Sequence, residues 1–178
     1  ESEKRLYLLD AMALIYRAHF AFAKTPRISS KGINTSAVFG FANTILEVIQ
    51  KEKPDYLGVA FDTPAPTFRH IEYTPYKAQR EKQPEDITIA IPYVKRFVEA
   101  LDIPILILDG YEADDVAGTM AKIYGQKGYK VYLMTMDKDY CQLVTENVFL
   151  YKPNYMGKGY EVYDTSKVLE KFNIEKVS

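Results

Sequence analysis

The sequence predicts an α/β domain in which three layers, α/β/α, enclose a mostly parallel central sheet. Short apolar runs alternate with longer stretches whose apolar residues recur at helical spacing. The short runs are almost continuously apolar, as expected of strands that helices cover on both faces. With 178 residues, the chain has the length of one compact domain.

The predicted elements follow one another as repeated strand and helix units. Asn34 or Thr35 is placed to cap the second helix, and Pro84 opens the third. The predicted strands are residues 6–9, 56–61, 105–108, 131–134, 148–151 and 160–163. The predicted helices are residues 11–22, 35–53, 85–100, 113–124 and 139–144, with a last one from about residue 165.

Composition excludes several classes of protein. Cys141 is the only cysteine, which rules out an intramolecular disulfide and a cysteine-rich zinc site. No apolar run approaches the roughly 18 to 20 residues of a membrane span, and the first residues lack the apolar core of a signal peptide. We therefore expect a cytoplasmic monomer without a membrane partner.

The formal net charge of −1 does not indicate whether the protein binds nucleic acid, because clustered acids would mask a basic surface in the total.

Acidic residues follow each of the first four strands. The carboxyl ends of parallel strands share one edge of a sheet, where ligands bind in such folds. Carboxylate clusters bind hard divalent ions such as Mg²⁺ or Mn²⁺, and two such ions side by side can activate water and stabilise a leaving oxygen. The predicted metal-binding residues are Asp10, Asp62, Glu112, Asp114, Asp115, Asp137 and Asp139.

Helix capping and turn formation explain part of this pattern. Asp10 and Asp137 both precede predicted helices, where a single acid is favoured, and Asp62 precedes a turn. A cap needs one acid, whereas the third strand is followed by three within four positions. Because like charges at this density repel one another unless a cation joins them, the sequence favours a metal site.

Other chemistries lack their motifs. The chain has no glycine-rich nucleotide-binding loop and no nucleophile elbow, and His19 and His70 have no evident nucleophile partner. Met12 stands where an aspartyl-phosphate phosphatase has a second aspartate. A receiver-like domain with an acidic pocket stays open as an alternative.

Residues 63–84, here called the basic insertion, interrupt the strand and helix pattern directly after Asp62. They contain four prolines and no steady apolar period, which predicts a long, exposed and flexible segment. Interleaved cations and aromatics suit single-stranded nucleic acid, although Glu72 and Glu81 partly cancel the charge and a solvated loop is the plain alternative. The candidate DNA-binding residues are Arg17 in the first helix and Arg69, Tyr76, Lys77 and Arg80 in the insertion.

Several motifs carry a family resemblance. They are Leu9-Asp10 with Tyr16-Arg17, Val38-Phe39-Gly40-Phe41, Phe61-Asp62-Thr63-Pro64-Ala65-Pro66-Thr67-Phe68-Arg69-His70, Tyr76-Lys77, Gly110-Tyr111-Glu112-Ala113-Asp114-Asp115 and Asp137-Lys138-Asp139. With these motifs the chain resembles the 5′→3′ exonuclease domain of bacterial DNA polymerase I, within the flap-endonuclease group of PIN-like nucleases.

The resemblance implies a function and roles for residues. It implies metal-dependent cleavage of DNA or RNA-primer phosphodiesters at 5′ flaps, nicks or primer ends, in replication and repair. The seven acids would bind or orient the metals, with two ions expected in the full-length protein. The basic insertion would form an arch over a 5′ flap, with Lys77 and Arg69 as catalytic contacts to the scissile phosphate.

Two departures from the family pattern qualify this expectation. Ala11 replaces a glycine usual after the first aspartate. The family also has further aspartates and a duplex-binding helical motif downstream, and a polymerase domain in the parent chain, whereas this sequence stops at Ser178. An N-terminal fragment with an incomplete second metal site is expected, and a DNA-binding module without turnover is the alternative.

Overall fold

The central sheet has six strands, as seen in a computed structural model that describes residues 3–77, 81–154 and 159–172. Their order across the sheet is β3-β2-β1-β4-β5-β6, and all neighbours are parallel except β5 and β6. This confirms the predicted α/β class and the mostly parallel sheet. The strands are β1 (Arg5–Asp10), β2 (Tyr56–Ala60), β3 (Ile105–Leu106), β4 (Lys130–Met134), β5 (Val148–Pro153) and β6 (Tyr160–Tyr163).

Helices cover both faces of the sheet. They are α1 (Ala11–Ala21), α2 (Ser36–Glu52), α3 (Phe68–Glu72), α4 (Glu85–Ala100), α5 (Ala113–Gln126) and α6 (Thr165–Phe172), with a 3-10 helix at Lys138–Leu143. No helix in the described part of the chain is both long and apolar enough to cross a membrane.

Each face of the sheet has its own buried core. Successive side chains of a strand point to opposite faces, so Tyr7 and Leu9 of β1 pack with residues of α1, α2 and α4. Leu8 points the other way and packs in a second core with Ala117 of α5. The two cores hold the three layers together.

Helices α1 and α2 approach closely at Gly40. A Cβ atom at this position would lie 2.5 Å from the Cβ of Ala18, which is closer than real atoms approach. Glycine is unfavourable inside a helix, so its presence in α2 is explained by this contact. The contact holds α1, and therefore the segment that follows Asp10, against the rest of the fold.

Three local predictions need correction. The third strand was predicted over residues 105–108, but Ile107 and Leu108 are 41% and 54% exposed and lie outside β3. Strand β2 has already ended at Ala60, so Leu106 is the last residue that pairs with it. The helix predicted at residues 139–144 is a 3-10 helix, and the basic insertion contains the short helix α3.

Candidate metal centre at the carboxyl edge of the sheet

The order of strands reverses between β1 and β4, which lie side by side at the centre of the sheet. The chain runs from β1 through β2 to β3 on one side, and from β4 through β5 to β6 on the other. Such a reversal leaves a crevice beyond the carboxyl ends of the two central strands. Asp10 ends β1, and Thr135 directly follows β4.

Thr135 joins the two central strands at this crevice. Its buried hydroxyl donates to Asp10 Oδ2 at 3.0 Å and accepts from the backbone N–H of Asp137 at 3.0 Å. This role of Thr135 was not predicted. A threonine two residues before an aspartate often accepts a hydrogen bond from the backbone N–H of that aspartate, so the Thr135 and Asp137 spacing could have indicated it.

Asp10 caps a helix, and its ionised form is disfavoured by burial. Its Oδ1 accepts from the backbone N–H of Ala13 at 3.4 Å, so the capping interpretation describes a contact that exists. Burial nevertheless raises the pKa of Asp10 to about 6, and the charges of Asp62 and Asp137 contribute to this shift. Two hydrogen bonds do not offset the loss of solvation, which means that the site lacks positive charge around Asp10.

Three acids cluster at the N-terminus of α5. Glu112, Asp114 and Asp115 each offer a carboxylate oxygen within 4.8 Å of the others, and Glu112 is only 7% exposed. Asp62 joins this helix end, because its Oδ1 accepts from the backbone N–H of Ala113 at 2.8 Å. Burial, together with the charges of Asp115 and Glu112, raises the pKa of Asp114 above its ordinary value.

The predicted acids line two adjoining clefts. The first cleft, of about 380 Å³, contains Asp10, Asp62, Glu112, Asp114 and Asp137. The second cleft, of about 310 Å³, contains Asp114, Asp115 and Asp139. Every acid named from the sequence therefore borders one of two clefts that share Asp114.

The basic insertion folds back onto these acids. Arg69 donates to both carboxylate oxygens of Asp115 at 2.7 Å and to Glu112 at 3.0 Å. Tyr76 donates to Glu112 at 2.8 Å, and Lys77 is hydrogen-bonded to the other oxygen of Glu112.

These contacts set the charge state of the two acids. Hydrogen bonds from Arg69 hold the pKa of Asp115 below its ordinary value. Burial alone would raise the pKa of Glu112, but Lys77, Tyr76 and Arg69 outweigh it and lower that pKa. Both carboxylates are therefore ionised at neutral pH, with the side chains of the insertion as their counterions.

The remaining predicted cations have different surroundings. Arg17 is exposed on α1 and borders a groove that also contains Phe20, Met136 and Asp137, so it lies beside the first cleft. Arg80 lies outside the described residues. His70 points its ring Nδ1 at the Thr67 hydroxyl, 2.8 Å away, which supports a structural role in α3.

Two further tyrosines at the clefts were not predicted. Tyr16 donates to Gln83 at 3.4 Å, and this pair joins α1 to the end of the basic insertion at the first cleft. Tyr140 borders both clefts although it is only 3% exposed. Burial and the surrounding acids raise the pKa of Tyr140. In the sequence, Tyr140 directly follows Asp139 and cannot be told apart from an ordinary core residue.

The donor set fits hard divalent cations. The one cluster of three possible metal-binding side chains in the described residues is made of carboxylates only, without histidine or cysteine. The raised pKa values of Asp10 and Asp114 show that these acids lack compensating charge, which bound cations would supply. The fold and site thus define an α/β domain with an acidic, oxygen-donor centre at its carboxyl edge.

Comparison with known proteins identifies the family. Residues 5–173 match the family model described as 5'-3' exonuclease, N-terminal resolvase-like domain, and the chain belongs to this family. A 5'-3' exonuclease of Aquifex aeolicus is 42% identical over 97% of the chain, and a DNA polymerase I of Bacillus subtilis is 36% identical over 96% of it. The match supersedes the receiver-like alternative.

The chain covers only part of the length of these relatives. It spans 57% of the Aquifex protein and 19% of the Bacillus polymerase. Among solved structures, the T5 D15 protein co-crystallised with metal ions superimposes with a TM-score of 0.71 at 21% identity, covering 98% of this chain and 63% of that one. This likeness supports the PIN-like nuclease fold predicted from the sequence.

Proposed function

We propose that this domain hydrolyses phosphodiesters of DNA, or of RNA primers, as a metal-dependent 5′→3′ exonuclease and 5′ flap endonuclease. The observation that carries the proposal is the contact of Arg69, Tyr76 and Lys77 with the acids at α5. A polyanionic substrate requires cations for binding beside carboxylates that bind metal. A position next to a C-terminal polymerase domain, in cytoplasmic replication and repair, is part of the proposal.

The ions proposed are Mg²⁺ or Mn²⁺. Asp10, Asp62, Glu112, Asp114 and Asp137 would hold or orient an ion in the first cleft, and Asp115 and Asp139 would do so in the second. When bound, such ions lower the pKa of a water molecule and stabilise the leaving oxygen of the phosphodiester. A related T5 structure is a pseudo-enzyme-product complex with DNA and metal ions, which supports this assignment.

The cations of the basic insertion would act on the substrate itself. Lys77 and Arg69 would exchange their carboxylate partners for oxygens of the scissile phosphate and stabilise the charge that develops there. Tyr76 would stack on an unpaired base, and Arg17 and Arg80 would contact neighbouring phosphates. We propose that residues 63–84 form a flexible arch over the 5′ flap.

Cleavage of a labelled 5′ flap substrate tests the proposal. The 178-residue chain is expected to cut the flap with Mn²⁺ and to leave it intact with EDTA. Asp115→Asn should abolish cutting, because it removes a charge from the second cleft. Asp102→Asn is the matched control, since Asp102 is exposed, borders neither cleft and has a φ of 56° that asparagine tolerates.

The same assay decides between enzyme and binding module. Binding of flap DNA without cutting, at any Mn²⁺ concentration, would support a DNA-binding module and contradict the nuclease proposal for this chain. Cutting by Asp115→Asn at the rate of the unmodified chain would contradict the assignment of the acids.

A further inference from the structure

Tyr140 holds an unused hydrogen-bond donor inside the acidic edge. Its ring packs in the core beneath α5, in the same cluster as Ala113 and Ala117. Its hydroxyl oxygen is inaccessible to solvent and has no hydrogen-bond partner among the described residues. It is the one such buried side-chain atom in the described part of the chain. Buried polar groups are normally satisfied, so this exception requires an explanation.

The surroundings of Tyr140 narrow the explanation. The residue borders both clefts, and Asp114 is the one acid that does the same. A protonated phenol donates a hydrogen bond, and a carboxylate accepts several. Oδ1 of Asp114 accepts from the backbone N–H of Asp115 at 2.9 Å, whereas no hydrogen bond to its Oδ2 occurs among the described residues. An unused donor and an unused acceptor thus share the wall between the clefts.

We propose that the Tyr140 hydroxyl donates a hydrogen bond to Asp114 when that carboxylate holds a divalent ion. Tyr140 is then a positioning residue of the metal centre, an inference that rests on the proposed metal-dependent function. Carboxylates that bind metals are themselves hydrogen-bonded, and such contacts orient the ligand toward the ion.

Removal of this hydroxyl should have opposite effects on the stability of the ion-free protein and on ion binding. Without an ion it is desolvated and unpaired, so removing it should leave the protein as stable or make it more stable. With an ion it has a partner, so removing it should weaken ion binding. A tyrosine with a purely structural role would not separate these two effects.

Calorimetric titration with Mn²⁺ and thermal unfolding of the ion-free chain test this inference. Tyr140→Phe is expected to raise the Kd for Mn²⁺ by roughly ten-fold to a hundred-fold, with a melting temperature equal to or above that of the unmodified chain. Tyr151→Phe is the matched control. Tyr151 is also buried, but its hydroxyl donates to Glu52 at 2.7 Å, remote from both clefts.

The control should show the reverse pattern, with a lower melting temperature and an unchanged Kd. A Kd for Tyr140→Phe within two-fold of the unmodified value would overturn the inference while leaving the proposed function intact. A lower melting temperature of ion-free Tyr140→Phe would also overturn it, since the hydroxyl would then have a partner. Failure of the unmodified chain to bind Mn²⁺ would overturn both.

Discussion

Arg69 and Asp115 form a two-pronged ion pair, with both guanidinium to carboxylate distances at 2.7 Å. The pair joins the basic insertion to the first turn of α5. Asp115 also accepts from the backbone N–H of Glu112 at 3.0 Å, so the same carboxylate stabilises the start of the helix. The ion-free protein therefore uses a residue proposed to contact substrate as a counterion for residues proposed to bind metal.

Replacement of Arg69 should destabilise the ion-free protein. Arg69→Gln leaves Asp115 and Glu112 without their shared partner, and we expect a loss of about 1 to 2 kcal/mol, moderated by the partial exposure of the pair. Urea denaturation in EDTA measures this free energy. Arg69→Lys keeps the charge but not the paired geometry, so it should lose an intermediate amount. Equal stability of all three proteins would contradict the prediction.

Replacement of Lys77 should separate ion binding from cleavage. Because the ammonium of Lys77 occupies an oxygen of Glu112, Lys77→Met should strengthen Mn²⁺ binding severalfold. Cleavage of flap DNA should fall by roughly 100-fold to 1000-fold, as when another charge-stabilising donor is removed from an active site. Calorimetry and the flap assay measure the two effects.

Lys82→Met provides the control for Lys77→Met, since Lys82 is an exposed cation of the same insertion. It should leave both quantities nearly unchanged. Weaker Mn²⁺ binding by Lys77→Met would show that Lys77 does not compete with the ion.

Asp10 should make the stability of the ion-free protein dependent on pH. Its pKa is about 6 in the folded chain, against an ordinary value of 3.8, so the folded state disfavours the charged form. The resulting penalty is absent below about pH 4, grows as the pH rises to about 6, and reaches about 3 kcal/mol above that.

Asp10→Asn removes this penalty and should stabilise the ion-free protein more at pH 8 than at pH 4. Denaturation in EDTA at the two pH values measures the difference, and Mn²⁺ should no longer protect the variant to the same extent. An identical effect of the substitution at both pH values would show that Asp10 is not under this strain.

The contact between α1 and α2 should tolerate no side chain at Gly40. Gly40→Ala places a methyl group against Ala18, and we expect a loss of about 1 to 3 kcal/mol in the free energy of unfolding. Gly118→Ala in α5 is the control, because its new methyl group meets only the flexible side chain of Leu143, at 3.2 Å. Helix propensity then offsets most of its cost. Equal losses in the two variants would argue against a rigid contact.

The sequence predicted most of the strands and located the acids that the structure brings to the two clefts, because both are local patterns. An apolar run that ends at Asp10 indicates a strand end wherever the strand lies in the sheet. The strand predicted at residues 105–108 was too long because Ile107 and Leu108 are apolar. Strand β2 ends at Ala60, so these two residues have no strand partner in β2, and this is seen only in the structure.

Contacts between distant segments could not be predicted in this way. Arg69 follows Asp62 closely in the sequence, which predicted a position near the acidic edge. That Arg69 binds Asp115 in particular depends on how α3 packs. Tyr140 was missed for the same reason, because whether a buried hydroxyl has a partner is settled by tertiary structure alone.

The bond from Thr135 to Asp10 spans 125 positions of the chain, and the acids beside it are drawn from segments as far apart as residues 10 and 139. During synthesis, the ribosome must therefore release the chain beyond Asp139, and β4 must pair with β1, before the full set of acids can meet. A growing or partly unfolded chain therefore lacks the complete set of acids, and any chemistry that needs the whole set can begin only after the domain has folded.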